Sequence, residues 1–310
     1  MSDLIKGVLP ALITPMDAEG NILAGLAGPI IDWYEREGAD GLYMLGWTGE
    51  GMYLTVEKRK IWAEAVLKAN KGRMPIFVHV GYNENLDDSV ELARHAAEHG
   101  AYAVASVGIS EKASLAENVA YFKRISEAAP NIPFYIYWIS MGQTLTGGQR
   151  VDPDELLEAM KAVPTFKGIK FTDNNFYILE RFKKYRPDLN ILTGADCLAI
   201  CSCIMGADGS IGTLQGITCR HFKVMMRKME EGRYAEAREL QYRANEISEA
   251  FSARDIGSIT GLKLVMERIY GIPAGYCSPS SPYIRKLEDE AVIERFLDVY
   301  RKNILTEGEK

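Results

Sequence analysis

The stretch Phe166-Lys-Gly-Ile-Lys-Phe-Thr172 decides how we interpret this chain. It is a short, largely apolar run between polar segments, which predicts a β-strand. Side chains alternate between the two faces of a strand, so Ile169 and Phe171 share one face while Lys170 and Thr172 share the other. Ile169 and Phe171 are suited to packing under helices. Lys170 is then expected to point to the opposite side of the sheet.

Runs of the same kind recur along the first two-thirds of the chain, separated by longer segments with helical periodicity. This alternation is typical of βαβ units, and eight repeats match a barrel. The strands are apolar nearly throughout, as required where helices cover one side of a sheet and its own side chains fill the other. We therefore predict an α/β fold, a (β/α)₈ TIM barrel, with a doubly wound sheet as the alternative. The predicted strands cover residues 7–15, 41–47, 74–81, 101–108, 133–140, 166–172, 190–194 and 209–213.

After Thr213 the alternation stops, and four helical segments follow without a strand between them. We therefore divide the chain into a barrel, residues 1–217, and a C-terminal helical region, residues 218–310. No low-complexity linker joins the two, so the helical region is expected to pack on the barrel or on a neighbouring subunit. The predicted helices cover residues 221–231, 234–251, 259–270 and 291–301.

Composition excludes several classes of partner. The net charge of -6 and the pI near 5.5 argue against nucleic acid, because binding a phosphate backbone requires a clustered positive face. No apolar run is long enough to cross a membrane, and the amino terminus lacks the pattern of a secretory signal. We therefore expect a soluble, cytoplasmic protein.

Three of the five cysteines, Cys197, Cys201 and Cys203, lie close together in the sequence. Zinc sites need paired CxxC motifs or added histidines at ligand spacing, and neither is found nearby. We therefore expect reduced thiols buried on a core helix and predict no metal site.

Lys170 is the first candidate for chemistry, because active sites of such barrels lie at the carboxyl ends of the strands. An amine enclosed in the barrel mouth loses hydration, which lowers its pKa and increases the fraction of neutral amine that can attack a carbonyl. This is the requirement for Schiff-base formation. The alternative is a structural lysine that extends to solvent or to a carboxylate, and the same strand carries Lys167 with opposite parity.

Two neighbouring strands supply further candidates. Tyr137 lies near the end of the fifth predicted strand, where a phenol within reach of Lys170 can pass protons between a carbinolamine, a substrate hydroxyl and solvent. The second strand leads into Gly46-Trp-Thr-Gly-Glu50, whose glycines let backbone amides grip a carboxylate, with the Thr48 hydroxyl beside them. Core packing of the tyrosine and a purely steric role for the glycines are the alternatives.

These three elements, Gly46-Trp-Thr-Gly-Glu50, Tyr137 and Gly168-Ile-Lys170, occur in the same order as in the N-acetylneuraminate lyase and dihydrodipicolinate synthase family. The chain resembles that family over nearly its whole length, and residues 164–172 look closest to its sialic-acid lyase branch. The other matching stretches are Leu9-Pro-Ala-Leu-Ile-Thr-Pro15, Gly194-Ala-Asp196, Gly206-Ala-Asp-Gly-Ser-Ile-Gly212, Gly261-Leu-Lys-Leu-Val-Met266 and Gly271-Ile-Pro273.

The resemblance implies roles for individual residues. Lys170 corresponds to the imine-forming lysine, Tyr137 to the proton-transferring phenol, and Thr48 with the Gly49 amide to the carboxylate clamp. No metal or organic cofactor is implied, and family members are usually tetramers or dimers, so we expect a homo-oligomer. The residues expected to contact the substrate are Thr48, Gly49, Thr172, Gly194, Asp196, Gly212 and Thr213.

The chain also departs from the family pattern. Trp47 stands where the family usually has the first of two hydroxyl residues, and Trp138-Ile-Ser140 replaces Asn-x-Pro. Cys197 replaces the second acidic residue of a sugar-binding pair, and Val107-Gly-Ile-Ser110 replaces an aromatic pair. Gly142 stands where the synthase branch has an arginine that holds a second carboxylate, which argues against dihydrodipicolinate synthesis.

The sequence therefore predicts a pyruvate-dependent class I lyase that acts on a 2-oxo-3-deoxy sugar acid or a related 2-oxo acid and releases pyruvate. A dehydratase or synthase-type condensing enzyme of the same family is one alternative. A metal-dependent barrel enzyme is a second, disfavoured because only His79 of the four histidines lies near a strand end. A third is a barrel that has lost catalysis and binds a ligand, with Trp47 and Trp138 blocking the usual pocket.

Overall fold

Eight parallel β-strands follow one another around a ring. The computed structural model describes residues 4–82, 85–109, 113–139, 151–252, 256–306 and 309. The hydrogen-bonded order of the strands is β1-β8-β7-β6-β5-β4-β3-β2. The strands are β1 (Gly7–Val8), β2 (Leu42–Met44), β3 (Ile76–Gly81), β4 (Ala103–Ser106), β5 (Phe134–Ile139), β6 (Phe166–Thr172), β7 (Asn190–Thr193) and β8 (Gly209–Ser210).

The ring closes between β2 and the segment that continues β1. Ala11 forms a parallel bridge with Tyr43, the Leu12 amide donates to the Tyr43 carbonyl at 2.8 Å, and the Tyr43 amide donates to the Pro10 carbonyl at 3.1 Å. The predicted (β/α)₈ barrel is thereby confirmed, and the doubly wound alternative is wrong because the strand order never reverses. The first strand is shorter than the predicted 7–15, since Pro10 has no amide to donate to a ladder.

Helices connect the strands and extend beyond the last one. Within the described residues the first seven accompany the barrel, α8 crosses the predicted boundary after residue 217, and the last three lie in the C-terminal helical region. They are α1 (Ala27–Arg36), α2 (Val56–Asn70), α3 (Leu86–Glu98), α4 (Leu115–Ala128), α5 (Pro153–Ala159), α6 (Phe176–Tyr185), α7 (Ala199–Ile204), α8 (Gln215–Glu230), α9 (Tyr234–Ser252), α10 (Ser258–Arg268) and α11 (Glu290–Asn303). None of the described helices has the length and apolar character needed to cross a bilayer.

The core has two layers, as a closed barrel requires. Ile169 and Phe171 are fully buried between the sheet and the surrounding helices, which confirms the predicted parity of β6. A second cluster fills the inside of the ring with side chains from the strands and the segments that extend them. Its buried members are Leu9, Ala11, Tyr43, Phe77, Ala103, Ala105, Tyr135, Leu192 and Ile211.

Helix α8 joins the barrel to the C-terminal helices. It crosses the boundary that we placed after residue 217, and Thr218 within it is non-helical (φ -126°, ψ 27°). The Ile217 carbonyl accepts hydrogen bonds from the hydroxyls of Tyr300 at 2.6 Å and Tyr270 at 3.2 Å. The segments after the barrel therefore pack directly on its last helix, while the division into two domains remains a prediction.

The clustered cysteines differ from the expectation. Cys197 and Cys201 are exposed and Cys203 is half-buried, all as free thiols. In α7 the buried side chains are Ala199 and Ser202, because only one side of this short helix faces the barrel. The prediction of buried thiols is therefore wrong for these three residues.

Candidate active site

Lys170 lies on the inner face of β6. It pairs in register with Tyr137 of β5 and Leu192 of β7, and only 5% of its surface is exposed. Its Nζ atom lies 4.1 Å from the ring centroids of both Tyr43 and Tyr137. Burial lowers the pKa of Lys170 to about 7, and the Asp196 carboxylate opposes this fall only in part. A large fraction of the amine is therefore neutral near neutral pH.

Tyr137 faces Lys170 from the neighbouring strand. Burial raises the pKa of Tyr137 to about 12, so the side chain is a neutral phenol, and the nearby Thr172 hydroxyl limits the rise. The buried Thr172 Oγ1 makes no hydrogen bond of ordinary geometry with the described residues. The phenol thus keeps a proton to donate.

Tyr43 and His79 form a pair that the sequence interpretation did not place in the site. The Tyr43 hydroxyl and His79 Nδ1 are hydrogen-bonded at 2.6 Å, and the His79 ring meets the Tyr137 ring edge-on with centroids 5.7 Å apart. Burial, reinforced by the charges of Arg59 and Lys170, holds the pKa of His79 well below its usual range. A neutral imidazole therefore fixes the tyrosine whose ring covers the lysine nitrogen.

The Gly46–Glu50 turn brings Thr48 and Gly49 to the end of the last strand. Thr48 Oγ1 lies 2.7 Å from Thr213 Oγ1, and the Gly49 carbonyl accepts a hydrogen bond from Thr14 Oγ1 at 2.7 Å. Within the described part of the chain, neither the Thr48 amide nor the Gly49 amide has a hydrogen-bond partner. Two amides without a partner in the described residues and two paired hydroxyls therefore lie in this turn and at the end of β8.

Asp196 follows β7 and is held by the start of α8. Its Oδ2 accepts from the Leu214 amide at 2.9 Å and its Oδ1 accepts from Gln215 Nε2 at 3.2 Å. Burial raises the pKa of Asp196 to about 6, while these hydrogen bonds and the Lys170 charge act in the opposite direction. A Cβ atom at Gly212 would lie 1.7 Å from Asp196 Oδ1, so glycine is required there.

Gly194 allows the backbone after β7 to approach β6 closely. A Cβ atom at this position would lie 1.8 Å from Thr172 Oγ1 and 3.4 Å from Lys170 Cε. The predicted site residues therefore lie at the carboxyl ends of β2, β5, β6, β7 and β8, the end at which barrels of this type place their active sites.

Comparison with known proteins decides the family. The sequence profile of the dihydrodipicolinate synthetase family matches residues 4–292. The chain belongs to the dihydrodipicolinate synthetase family. The resemblance stated from the Gly46–Glu50, Tyr137 and Lys170 motifs is thereby confirmed.

Several members of this family are similar to the chain over most of its length. N-acetylneuraminate lyase A of Xenopus laevis is 33% identical over 276 residues, which cover 87% of this chain and 88% of that protein. N-acetylneuraminate lyase of Gallus gallus is 30% identical over 292 residues, 92% of each chain. The solved structure of wild-type sialic acid aldolase of Ruminococcus gnavus has a TM-score of 0.88 at 28% identity, covering 97% of this chain and 99% of that one. A structure of its catalytic lysine mutant has a TM-score of 0.89.

The departures from the family pattern have distinct structural consequences. Trp138 Nε1 donates to Asp173 Oδ2 at 2.9 Å, and its ring packs on Phe171 and Phe182 outside the barrel. The expectation that Trp138 blocks the mouth is therefore wrong, because its parity on β5 is opposite to that of Tyr137. Trp47 is 43% exposed. Ser110, Ser140 and Gly142 lie outside the described residues.

Hydroxyls, amides and the Asp196 carboxylate dominate this site. Among the described residues, the three-member group of His, Cys, Asp or Glu spaced to hold a metal ion lies elsewhere, on α2 and α3. The groups gathered around Lys170 are thus an amine and a phenol, with hydroxyls and the Asp196 carboxylate near them.

Proposed function

We propose that this protein is a class I lyase that cleaves a 2-oxo-3-deoxy sugar acid of the sialic-acid kind and releases pyruvate. The observation that carries the proposal is the Lys170 amine, enclosed by two aromatic rings at 4.1 Å with its pKa lowered to about 7. Relatives named N-acetylneuraminate lyase and sialic acid aldolase, which cover most of the chain, support the choice of substrate.

In the proposed mechanism, neutral Lys170 attacks the keto carbon of the substrate and water leaves, which gives an imine. The protonated imine accepts the electron pair of the bond between the α and β carbons, one bond beyond the imine carbon, when that bond breaks, which leaves an enamine and an aldehyde. Tyr137 donates its proton to the departing water, and the resulting phenolate takes the proton of the substrate hydroxyl as the carbon-carbon bond breaks. The phenol restored in this way then protonates the enamine carbon, which gives the imine of pyruvate and a phenolate that regains its proton from the water consumed in hydrolysis. Hydrolysis of the resulting imine releases pyruvate and restores the amine.

Binding of the substrate carboxylate is assigned to Thr48, Gly49 and Thr213. The free amides and the paired hydroxyls supply donors without a fixed positive charge. We assign Asp196 and Thr172 to the hydroxyls of the sugar portion, because a carboxylate accepts hydrogen bonds and a threonine hydroxyl can donate one. Glycine at position 142, where the synthase branch has an arginine that holds a second carboxylate, favours cleavage of a sugar acid over a synthase-type condensation.

The test is reductive trapping. Borohydride added with pyruvate is expected to increase the mass of the peptide that contains Lys170, and trypsin will no longer cleave there, so the adduct appears in a peptide spanning residues 168–181. Lys170→Ala is expected to abolish trapping. Lys167→Ala is the matched control on the same strand and keeps it. An undiminished adduct in Lys170→Ala contradicts the proposal.

The substrate is tested separately by pyruvate release from a panel of sugar-derived 2-oxo acids that includes N-acetylneuraminate. If pyruvate is trapped at Lys170 but none of these acids releases pyruvate, the proposed Schiff base is supported and the proposed substrate class is contradicted. As further parts of the proposal, we expect the protein to be cytoplasmic and to form a homo-oligomer, a dimer or a tetramer. Light scattering of the purified protein measures the number of chains in the assembly.

A further inference from the structure

Two histidines and a glutamate meet on the outer face of the barrel, where α2 and α3 lie side by side. Glu64 belongs to α2, while His95 lies in the last turn of α3 and His99 directly follows it. His95 Nε2 lies 2.8 Å and His99 Nε2 lies 3.8 Å from Glu64 Oε1. The three ligand atoms are all within 4.8 Å of one another.

The His99 imidazole is held in an arrangement typical of a metal ligand. His99 Nδ1 lies 2.8 Å from the His95 carbonyl, which can only accept, so Nδ1 donates and Nε2 is left with its lone pair. Metal-binding histidines commonly donate their second ring nitrogen to a carbonyl in this way. The two rings stack with centroids 4.2 Å apart, as the spacing of four residues on a helix allows, and both direct Nε2 at the same carboxylate.

The surrounding charges permit a cation here. Lys60, one turn before Glu64 on α2, is paired with Glu91 of α3. The cluster is solvent-accessible, with Glu64 51% and His99 40% exposed, which leaves an entry path and room for a bound water.

We propose that Glu64, His95 and His99 form a binding site for one divalent transition-metal ion, with Zn²⁺ as the reference ion. Two imidazole nitrogens and one carboxylate oxygen are preferred zinc ligands, and water completes a four-coordinate shell. The site lies on the helical layer and is independent of Lys170. Its effect is to link α2 to α3, because the unfolded chain does not hold the three ligands together.

The alternative for the same geometry is an ion pair between Glu64 and protonated histidines. Zinc titration of the untagged, chelator-treated protein distinguishes the two. We expect one zinc per chain by competition with a chromophoric chelator, together with a zinc-dependent rise in Tm. His95→Gln and His99→Gln are expected to lose both signals and to keep the melting behaviour of the metal-free protein.

Glu91→Gln is the matched control, since it removes a carboxylate from the same pair of helices and leaves the trio intact. It is expected to bind zinc like the unmodified chain. Stoichiometric zinc binding that persists in both histidine variants, or a chain that takes up no zinc at micromolar concentration, overturns the proposal. Pyruvate trapping at Lys170 is expected to be equal in all these variants, so the outcome does not depend on the proposed function.

Discussion

The Lys170 nitrogen exchanges its hydration shell for two aromatic faces, and its pKa therefore falls to about 7. Burial of the Tyr137 hydroxyl raises the pKa of that side chain to about 12. Burial disfavours the charged form of both groups, which is the ammonium of the lysine and the phenolate of the tyrosine. The site therefore contains a neutral nucleophile and a neutral acid in the same pH range, which is what imine formation followed by proton transfer requires.

The first prediction concerns the pH dependence of trapping. Because only the neutral amine attacks pyruvate, the initial rate of borohydride-trapped adduct should rise with pH through about 7 and then level off. Quenched-flow mass spectrometry across this range measures it. A rate that keeps rising tenfold per pH unit up to pH 10 would show that the amine is not dehydrated.

The second prediction concerns stability. Between about pH 7 and the ordinary lysine range, unfolded Lys170 binds a proton that the native state does not, so native stability rises with pH over that window. Below it, the native state carries the desolvation cost of the ammonium. Lys170→Met should therefore be more stable than the parent at pH 6, and this advantage should shrink on the order of 4 kcal/mol by pH 10. Urea unfolding measures it, and Lys167→Met should show no such trend.

The third prediction separates the phenol from the amine. Tyr137→Phe keeps the ring beside Lys170 and removes the proton, so the pyruvate adduct should still form while turnover falls by roughly 10²–10⁴-fold. Parallel measurement of adduct yield and pyruvate release tests this. Equal turnover of the unmodified chain and of Tyr137→Phe would assign the proton transfer to another group.

Strand parity predicted that Lys170 and Tyr137 point into the barrel, since side chains alternate along β5 and β6, whereas their proposed roles came from the family resemblance. It could not reveal Tyr43 and His79 as their neighbours. A tyrosine that points into a barrel can be a core residue or part of the active site. Tyr43 has both positions, because it packs inside the ring of strands and its ring centroid lies 4.1 Å from Lys170 Nζ. Trp138 directly follows Tyr137 on β5, so the same alternation predicts that its side chain points away from the inside of the barrel.

At the scale of single elements, the Gly46–Glu50 turn is held by a contact that no local pattern predicts. Glu50 has a left-handed backbone (φ 55°) and a fully buried carboxylate. Its Oε1 accepts from Lys263 Nζ of α10 at 2.8 Å and its Oε2 accepts from the Ser278 amide at 2.7 Å. The partners come from the C-terminal region, so that region positions the turn that carries Thr48.

The fourth prediction follows from this buried pair. Lys263→Met leaves the Glu50 charge uncompensated and should cost about 3–5 kcal/mol of stability. Adding Glu50→Gln should recover part of that loss, because no ion is then buried alone. Urea unfolding of the two variants gives these values. If pyruvate binding is supported by the turn, KM should rise in Lys263→Met by a larger factor than kcat falls.

For the whole molecule, the number, order and type of the strands could be predicted because each one carries its own apolar run. The ends of elements were less certain: Pro10 shortens the first ladder, and α8 begins at Gln215 instead of 221. Long-range contacts could not be predicted, because pairs such as Glu50 and Lys263 are 213 residues apart and neither residue signals the other.

The last prediction tests whether the barrel folds without its C-terminal helices. A chain that ends at residue 217 loses α8, whose Phe222 and Met225 are fully buried against the barrel, and it also loses the partners of the Glu50 carboxylate. We expect such a chain to lack a cooperative thermal transition. A chain that ends at 232 restores α8 but not Lys263, so it should remain less stable than the full chain and be cut more rapidly by protease. A cooperative transition in the shorter chain would establish the boundary at 217 as that of an independently folding domain.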